Sequence, residues 1–111
     1  GKKIKLLYAA MEDKDWRYML SVLLPLVDEV VLTRVGLERS ADPELLSGCL
    51  PRSLAHRVVE DARTAVKLML QEAGSEDIIL IAGSLYLVGE IRPTAVELSA
   101  RAWIQEEDAH E

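Results

Sequence analysis

Apolar positions along the chain gather into short runs divided by polar, turn-forming stretches, and the runs alternate between two kinds. Ile4 to Ala10, "IKLLYAA", is almost continuously apolar and predicts a strand buried on both faces, as a parallel sheet requires. After "MEDKD", the stretch "DWRYMLSVLLPLV" places Trp16, Met19, Leu20, Leu23 and Leu24 at helical spacing. Asp13 or Asp15 is available as its N-cap, and Pro25 limits its C-terminal end. The first unit is therefore strand, polar loop, helix.

The pattern then repeats. "DEVVLTR" predicts a second strand at Val30 to Thr33, β-branched and opened by acidic turn residues. Within the loop-like "VGLERSADPELLSGCLPRS", Asp42-Pro43-Glu44 has the form of an N-cap followed by proline at the first position of a short helix. "LAHRVVEDARTAVKLMLQEAG" predicts a helix for most of its length, with Ala62, Ala65, Val66, Met69 and Ala73 on one face and Gly74 as the stop; periodicity leaves open whether Ala55 to Val59 is instead a short edge strand. "DIILIAG" is the clearest buried strand. Ser84 is expected to open a helix running to about Ile91, Arg92-Pro93 to break it, and "TAVELSARAWIQ" to form a last helix with Val96, Ala100, Trp103 and Ile104 inward. Strands alternating with helices predict an α/β layered domain around a parallel sheet, with a solvated tail "EEDAHE".

Composition narrows the class. The 111 residues suit one domain, and 50% apolar with 29% charged residues is the balance of a soluble globular fold. No apolar run approaches a membrane span and no signal-peptide pattern opens the chain, so a cytoplasmic location is expected, with no membrane partner. The net charge of −6 argues against nucleic acid as a partner. Charge is uneven: residues 1–67 carry eleven Lys/Arg against ten Asp/Glu, residues 68–111 two against nine. An anionic ligand would therefore be met by individual cations of the first half. Cys49 stands alone and reads as a small, partly buried apolar residue; His56 and His110 are isolated and suggest no metal set. No phosphate-loop, dinucleotide or Ser/His/Asp pattern is present.

Ligands of open parallel sheets bind beyond the carboxyl ends of the strands. Two loops qualify: "AAMEDKD" after the first strand and "AGSLY" after Ile78–Ala82. In the second, Gly83 lets the backbone pass close to another group, and Ser84 either caps its own helix or hydrogen-bonds a ligand carboxylate. In the first, Lys14 stands among Glu12, Asp13 and Asp15, where a solvated charge cluster is the plain alternative. A cation is unexpected at a helix start, because the helix dipole favours anions there. That makes Lys14 the stronger candidate.

Together, "AMEDKDW", "VVLTR…RSAD" and "GSLYLVGEIR" resemble, in order and spacing, the C-terminal domain of the bifunctional folylpolyglutamate synthase/dihydrofolate synthase family of the Mur ligase superfamily. The resemblance covers most of the chain. It implies a three-layer, Rossmann-like α/β domain with a mainly parallel sheet flanked by helices, residues 1–111 forming a partial C-terminal domain that lacks its first strand. It also implies a parent enzyme that uses ATP and magnesium to activate a folate or dihydropteroate carboxylate as an acyl phosphate, then joins it to L-glutamate. By the same resemblance Lys14 would approach the carboxylates of the incoming glutamate. Ser84, with Gly83 and the adjacent backbone N–H groups, would bind the same substrate. Asp13 and Asp15 would shape the loop, and Arg39 would be a loop or interface residue.

The family's phosphate-loop lysine, magnesium ligands and D-G-A-H-N-type loop have no counterpart in these residues. Expected partners are thus the parent's N-terminal ATPase domain, L-glutamate and a folate-type substrate, with no cofactor bound to this chain and no activity of its own. A missing strand would expose a sheet edge, so a partner strand or a second copy is expected to cover it. The rival reading is a non-catalytic α/β binding or interaction module. An upstream phosphate loop followed by D-G-A-H-N would favour the ligase, and an unrelated upstream sequence the module.

Overall fold

The computed structural model describes residues 2–13, 15–36, 39–83, 87, 89, 92 and 93, and the backbone of 102–104. Its sheet contains β1 (Ile4–Ala9), β2 (Glu29–Arg34), β3 (Ala55–Asp61), β4 (Ile78–Gly83) and β5 (Ala102–Ile104), all parallel, in the order β3-β2-β1-β4-β5. The helices are α1 (Trp16–Leu23), continued by a 3-10 turn at Leu24–Leu26, α2 (Pro43–Ser47) and α3 (Ala62–Glu72). From β1 the chain steps outward through β2 to β3, then α3 returns it to β4 on the other side of β1. The direction of travel therefore switches between β1 and β4.

Alternation along β1 explains the layers. Leu6, Tyr8 and Ala10 pack with Trp16, Leu20 and Leu46 of α1 and α2, whereas Leu7, Ala9 and Met11 pack with Ala62, Ala65, Val66 and Met69 of α3. The run reads as continuously apolar because both of its faces are covered. Leu87 joins the α3 layer. The result is three layers, as the family resemblance implies.

α1, α2 and α3 each start on an aspartate. Asp15 accepts from the Tyr18 N–H at 3.4 Å, Asp42 from Glu44 at 3.0 Å and Asp61 from Thr64 at 2.9 Å. Such a cap satisfies N–H groups that have no partner inside the helix. Of the two candidates for α1, Asp15 is the cap. Pro25 lies in the 3-10 turn that ends α1, and Pro43 in the first turn of α2.

Several expectations are corrected. The open choice at residues 55–59 resolves to strand: β3 runs through Asp61, and α3 begins only at Ala62. Pairing with β2 decides this, since a run of exposed and half-buried side chains has no apolar period of its own. Arg92 and Pro93, read as a break, are helical positions; proline's fixed φ suits a helix, and only its missing N–H opposes one. Trp103 and Ile104, read as helical, belong to β5, in register with Leu80 and Ile81. A three-residue apolar run has no period to tell helix from strand, and pairing with β4 settles it. Val96 and Ala100 lie outside the described residues. Cys49 is exposed rather than partly buried.

The sheet's outer strands are β3 and β5. β3 presents exposed Arg57, Glu60 and Asp61, and charges on an edge strand oppose the addition of another strand. No helix among the described residues is long and apolar enough to cross a membrane.

Candidate functional site

At the carboxyl edge of the sheet, the register pairs Ala9 of β1 with Gly83 of β4. These strands flank the switch in chain direction, where diverging loops leave a crevice for ligands in open α/β sheets. The two loops singled out from the sequence, after β1 and after β4, leave from these neighbouring ends. Lys14 and Ser84 lie outside the described residues. Gly83, Asp13, Asp15 and Arg39 lie within them.

Gly83 has φ +113°, and a β-carbon there would collide with the carbonyl oxygen of Ala9 and touch the Tyr8 ring at 3.0 Å. The close approach expected of this glycine is therefore to the neighbouring strand. Only glycine lets β4 end this tightly against β1. Below it the Tyr8 hydroxyl donates to the Trp16 carbonyl at 3.2 Å in the interior, tying β1 to the first turn of α1.

The loop after β1 is held by the loop after β2. The Glu12 N–H donates to the Arg39 carbonyl and the Ala41 N–H to the Ala10 carbonyl, each at 2.7 Å, and Met11 and Ser40 form an antiparallel bridge between them. The Arg39 guanidinium donates to Asp13 Oδ2 at 2.8 Å, with the side chains 66% and 48% exposed. Buried Ser40 accepts from the Val35 N–H at 3.1 Å, which fixes the start of the second loop. Thus Asp13 is tied to Arg39 and Asp15 to its own helix, and these are the two residues flanking Lys14.

Arg34, the last residue of "VVLTR" at the end of β2, has no role assigned from the sequence. Its Nε donates to Glu60 at 2.9 Å and its terminal nitrogen to Asp42 at 3.3 Å, joining β2 to β3 and to the α2 cap. The hydrogen bond to Glu60 holds the guanidinium pKa above its ordinary value, helped by the charges of Glu60, Asp42 and Glu12. The segment "VVLTR" ends in Arg34 but does not name its partners; the parallel pairing of β3 brings Glu60 beside it. Among the described residues no group of three or more His, Cys, Asp or Glu side chains converges as a metal site would require. His56 is exposed, its Nδ1 2.8 Å from the Leu54 carbonyl.

The family model of the Mur ligase glutamate ligase domain matches residues 1–85, a span containing the first loop and all of the second but Tyr86. The chain belongs to this family. As a glutamate ligase domain it is 37% identical over 93 residues to a probable bifunctional folylpolyglutamate synthase/dihydropteroate synthase of Haloferax volcanii, covering 82% of this chain and 11% of that protein. It is similar to the crystal structure of a bifunctional folylpolyglutamate synthase/dihydrofolate synthase from Yersinia pestis complexed with AMPPNP and Mn ion. There the TM-score is 0.76 and the identity 25%, over 84% of this chain and 22% of that one. A Mycobacterium tuberculosis folylpolyglutamate synthase complexed with ADP and AMPPCP shares the fold, with TM-score 0.70 and 24% identity over 83% of this chain and 23% of that one. The glutamate ligase domain thus spans about a tenth of the curated relative and less than a quarter of the solved chains. The second activity named for the Haloferax protein is that of a dihydropteroate synthase, not the dihydrofolate synthase of the sequence resemblance. Folylpolyglutamate synthase is the activity these three names share.

Proposed function

We propose that this domain forms the amino-acid side of the active site in an ATP-dependent ligase that adds L-glutamate to a folate-type carboxylate. The observation that carries the reading is the pairing of Ala9 with Gly83 at the sheet's switch point, in a domain of the glutamate ligase family. In this reaction the acceptor carboxylate takes the γ-phosphoryl group of ATP, releasing ADP. The glutamate amine then attacks the acyl carbon, the amide bond forms, and phosphate leaves with the amine's proton passing to solvent. ATP and magnesium supply the activation, and the parent's N-terminal ATPase domain holds them.

Within this chain, Lys14 neutralises a glutamate carboxylate, and Ser84 with the backbone N–H groups after Gly83 accepts the same substrate. Asp13 and Asp15 anchor the loop that presents Lys14. Closure of this domain over the ATPase domain excludes water from the acyl phosphate, which would otherwise hydrolyse. Acting alone, the 111-residue chain lacks the phosphoryl-transfer groups and has no turnover.

The test is ADP release by the parent enzyme in the presence of glutamate and folate. Lys14→Ala is expected to raise the glutamate KM by roughly tenfold or more, the scale of a lost charge-assisted contact, with little change in the KM for ATP. An unchanged glutamate KM and turnover would remove Lys14 from the site. A parent without glutamate-dependent ADP release would favour the non-catalytic module. ADP formation by the isolated domain would refute its dependence on the rest of the chain.

A further inference from the structure

The arginines at the carboxyl edge of the sheet are not equivalent. Arg34 is bonded to Glu60 and Asp42, and Arg39 to Asp13. Arg17, in the first turn of α1, is exposed and meets no carboxylate among the described residues. Its guanidinium lies instead over the Trp16 ring, 4.3 Å from the centroid. Trp16 is buried and its carbonyl is tied to β1 by the Tyr8 hydroxyl, so the ring is a firm seat. Stacking occupies the flat face of a guanidinium and leaves the N–H groups along its rim free for a carboxylate.

Arg17 also lines a groove of about 190 Å³ with Leu20, Ser21, Leu24 and Cys49. Arg17, Ser21 and Leu24 follow one another at about one helical turn, so the groove runs beside α1 for about 10 Å from the carboxyl edge. Leu20 and Leu24 give it apolar walls. The Ser21 hydroxyl donates to the Tyr18 carbonyl at 2.6 Å, which leaves its oxygen to the groove as an acceptor. A chain of γ-linked glutamate matches these features in turn, with a free α-carboxylate, methylenes and an amide N–H in each unit. Every round of the proposed reaction leaves one more such unit on the acceptor, and folylpolyglutamate synthase is named for all three relatives.

We infer that Arg17 and the groove beside α1 bind the γ-glutamyl tail already present on the acceptor, Arg17 taking the α-carboxylate of a unit that does not react. The inference rests on the ligase reading above and adds a subsite for its acceptor.

The full-length parent tests it with monoglutamyl and triglutamyl folate as acceptors. Arg17→Ala should raise the KM of the triglutamyl acceptor by roughly tenfold, the scale of a lost charge-assisted contact, while the KM values of the monoglutamyl acceptor, glutamate and ATP change by less than about twofold. Arg17→Lys, which keeps the charge but not the planar fork, should recover part of the loss. The triglutamyl acceptor should also slow alkylation of exposed Cys49, followed by mass spectrometry of its peptide, where the monoglutamyl acceptor does not. An equal rise in KM for both acceptors would place the effect of Arg17 elsewhere than on the tail and overturn the inference. So would an unchanged KM, or a Cys49 rate indifferent to tail length. Glutamate-dependent ADP release with dihydropteroate but with no glutamylated acceptor overturns the inference and leaves the ligase reading standing. Absence of that release with every acceptor removes both.

Discussion

Gly83, at the end of β4, lies so close against Ala9 of β1 that the Ala9 carbonyl oxygen fills the space a β-carbon would need. The approach brings the start of the "GSLY" segment to the root of the "MEDKD" loop. A backbone constraint between two strands thus sets the geometry of the candidate site.

Gly83→Ala is expected to destabilise the domain by about 3 kcal/mol, combining steric overlap with an unfavourable positive φ. Urea unfolding of the two proteins measures it. A loss well under ~1 kcal/mol would mean that β4 can end farther from β1 at little cost.

Asp61 caps α3 with hydrogen bonds from the Thr64 N–H at 2.9 Å and the Thr64 hydroxyl at 2.7 Å. Asp61→Ala should cost about 1 kcal/mol, and Asp61→Asn, which can still accept, clearly less. Equal losses would place the effect in charge rather than capping. Chemical denaturation at neutral pH separates the two.

Acid should weaken the fold through two aspartates. Asp61 is held below the usual carboxylate range first by the Thr64 hydroxyl and then by the Thr64 N–H. Asp77 is lowered chiefly by the Gly74 N–H, with the Lys3 N–H and Lys5 also favouring its charge. A carboxyl whose pKa is lower in the folded than in the unfolded state binds its proton later in the folded state. The stability it contributes is therefore present above the unfolded value of ~4 and is lost as pH falls through the folded value. Unfolding midpoints followed from pH 6 to pH 2, on the order of the carboxylate range, should decline below about pH 4, and Asp77→Asn should flatten the decline. A midpoint independent of pH in that range would contradict the assignment.

Five residues are too few for α2 to be helical by itself. Leu46, fully buried where α2 packs on β2 and β3, docks it. Leu46→Ala should cost roughly 3 kcal/mol as a core truncation. It should also speed amide exchange at Ala41, whose N–H bonds the Ala10 carbonyl beside the site. Unchanged exchange there would show that the loop is held without α2.

The exposed charges of β3 predict solution behaviour. Replacing Arg57 and Glu60 together by valine should promote self-association, because an apolar edge strand can template another. Sedimentation across a concentration series would detect it. No change in association would show that the edge is protected by something other than its charges.

Much of this domain was written in local patterns. The buried runs at β1, β2 and β4 are apolar enough to name strands, and α1 shows the 3.6-residue period of a helix packed on one face. Asp42-Pro43 declared the start of α2, and the two candidate loops followed from the rule that parallel strands share a carboxyl edge. These features depend on neighbours a few residues apart, which a sequence displays directly. Tertiary structure decided the rest. β3 and β5 are strands because β2 and β4 offer them pairing, a contact made across 26 residues at Val30–His56 and 23 at Leu80–Trp103. The ion pair of Arg39 with Asp13, the Arg34 bridge to Glu60 and Asp42, and the carbonyl that makes Gly83 indispensable all join segments distant in the chain. Sequence proximity could mark Lys14 as unusual among aspartates, but only the folded sheet shows that the carboxylates on either side of it are already engaged.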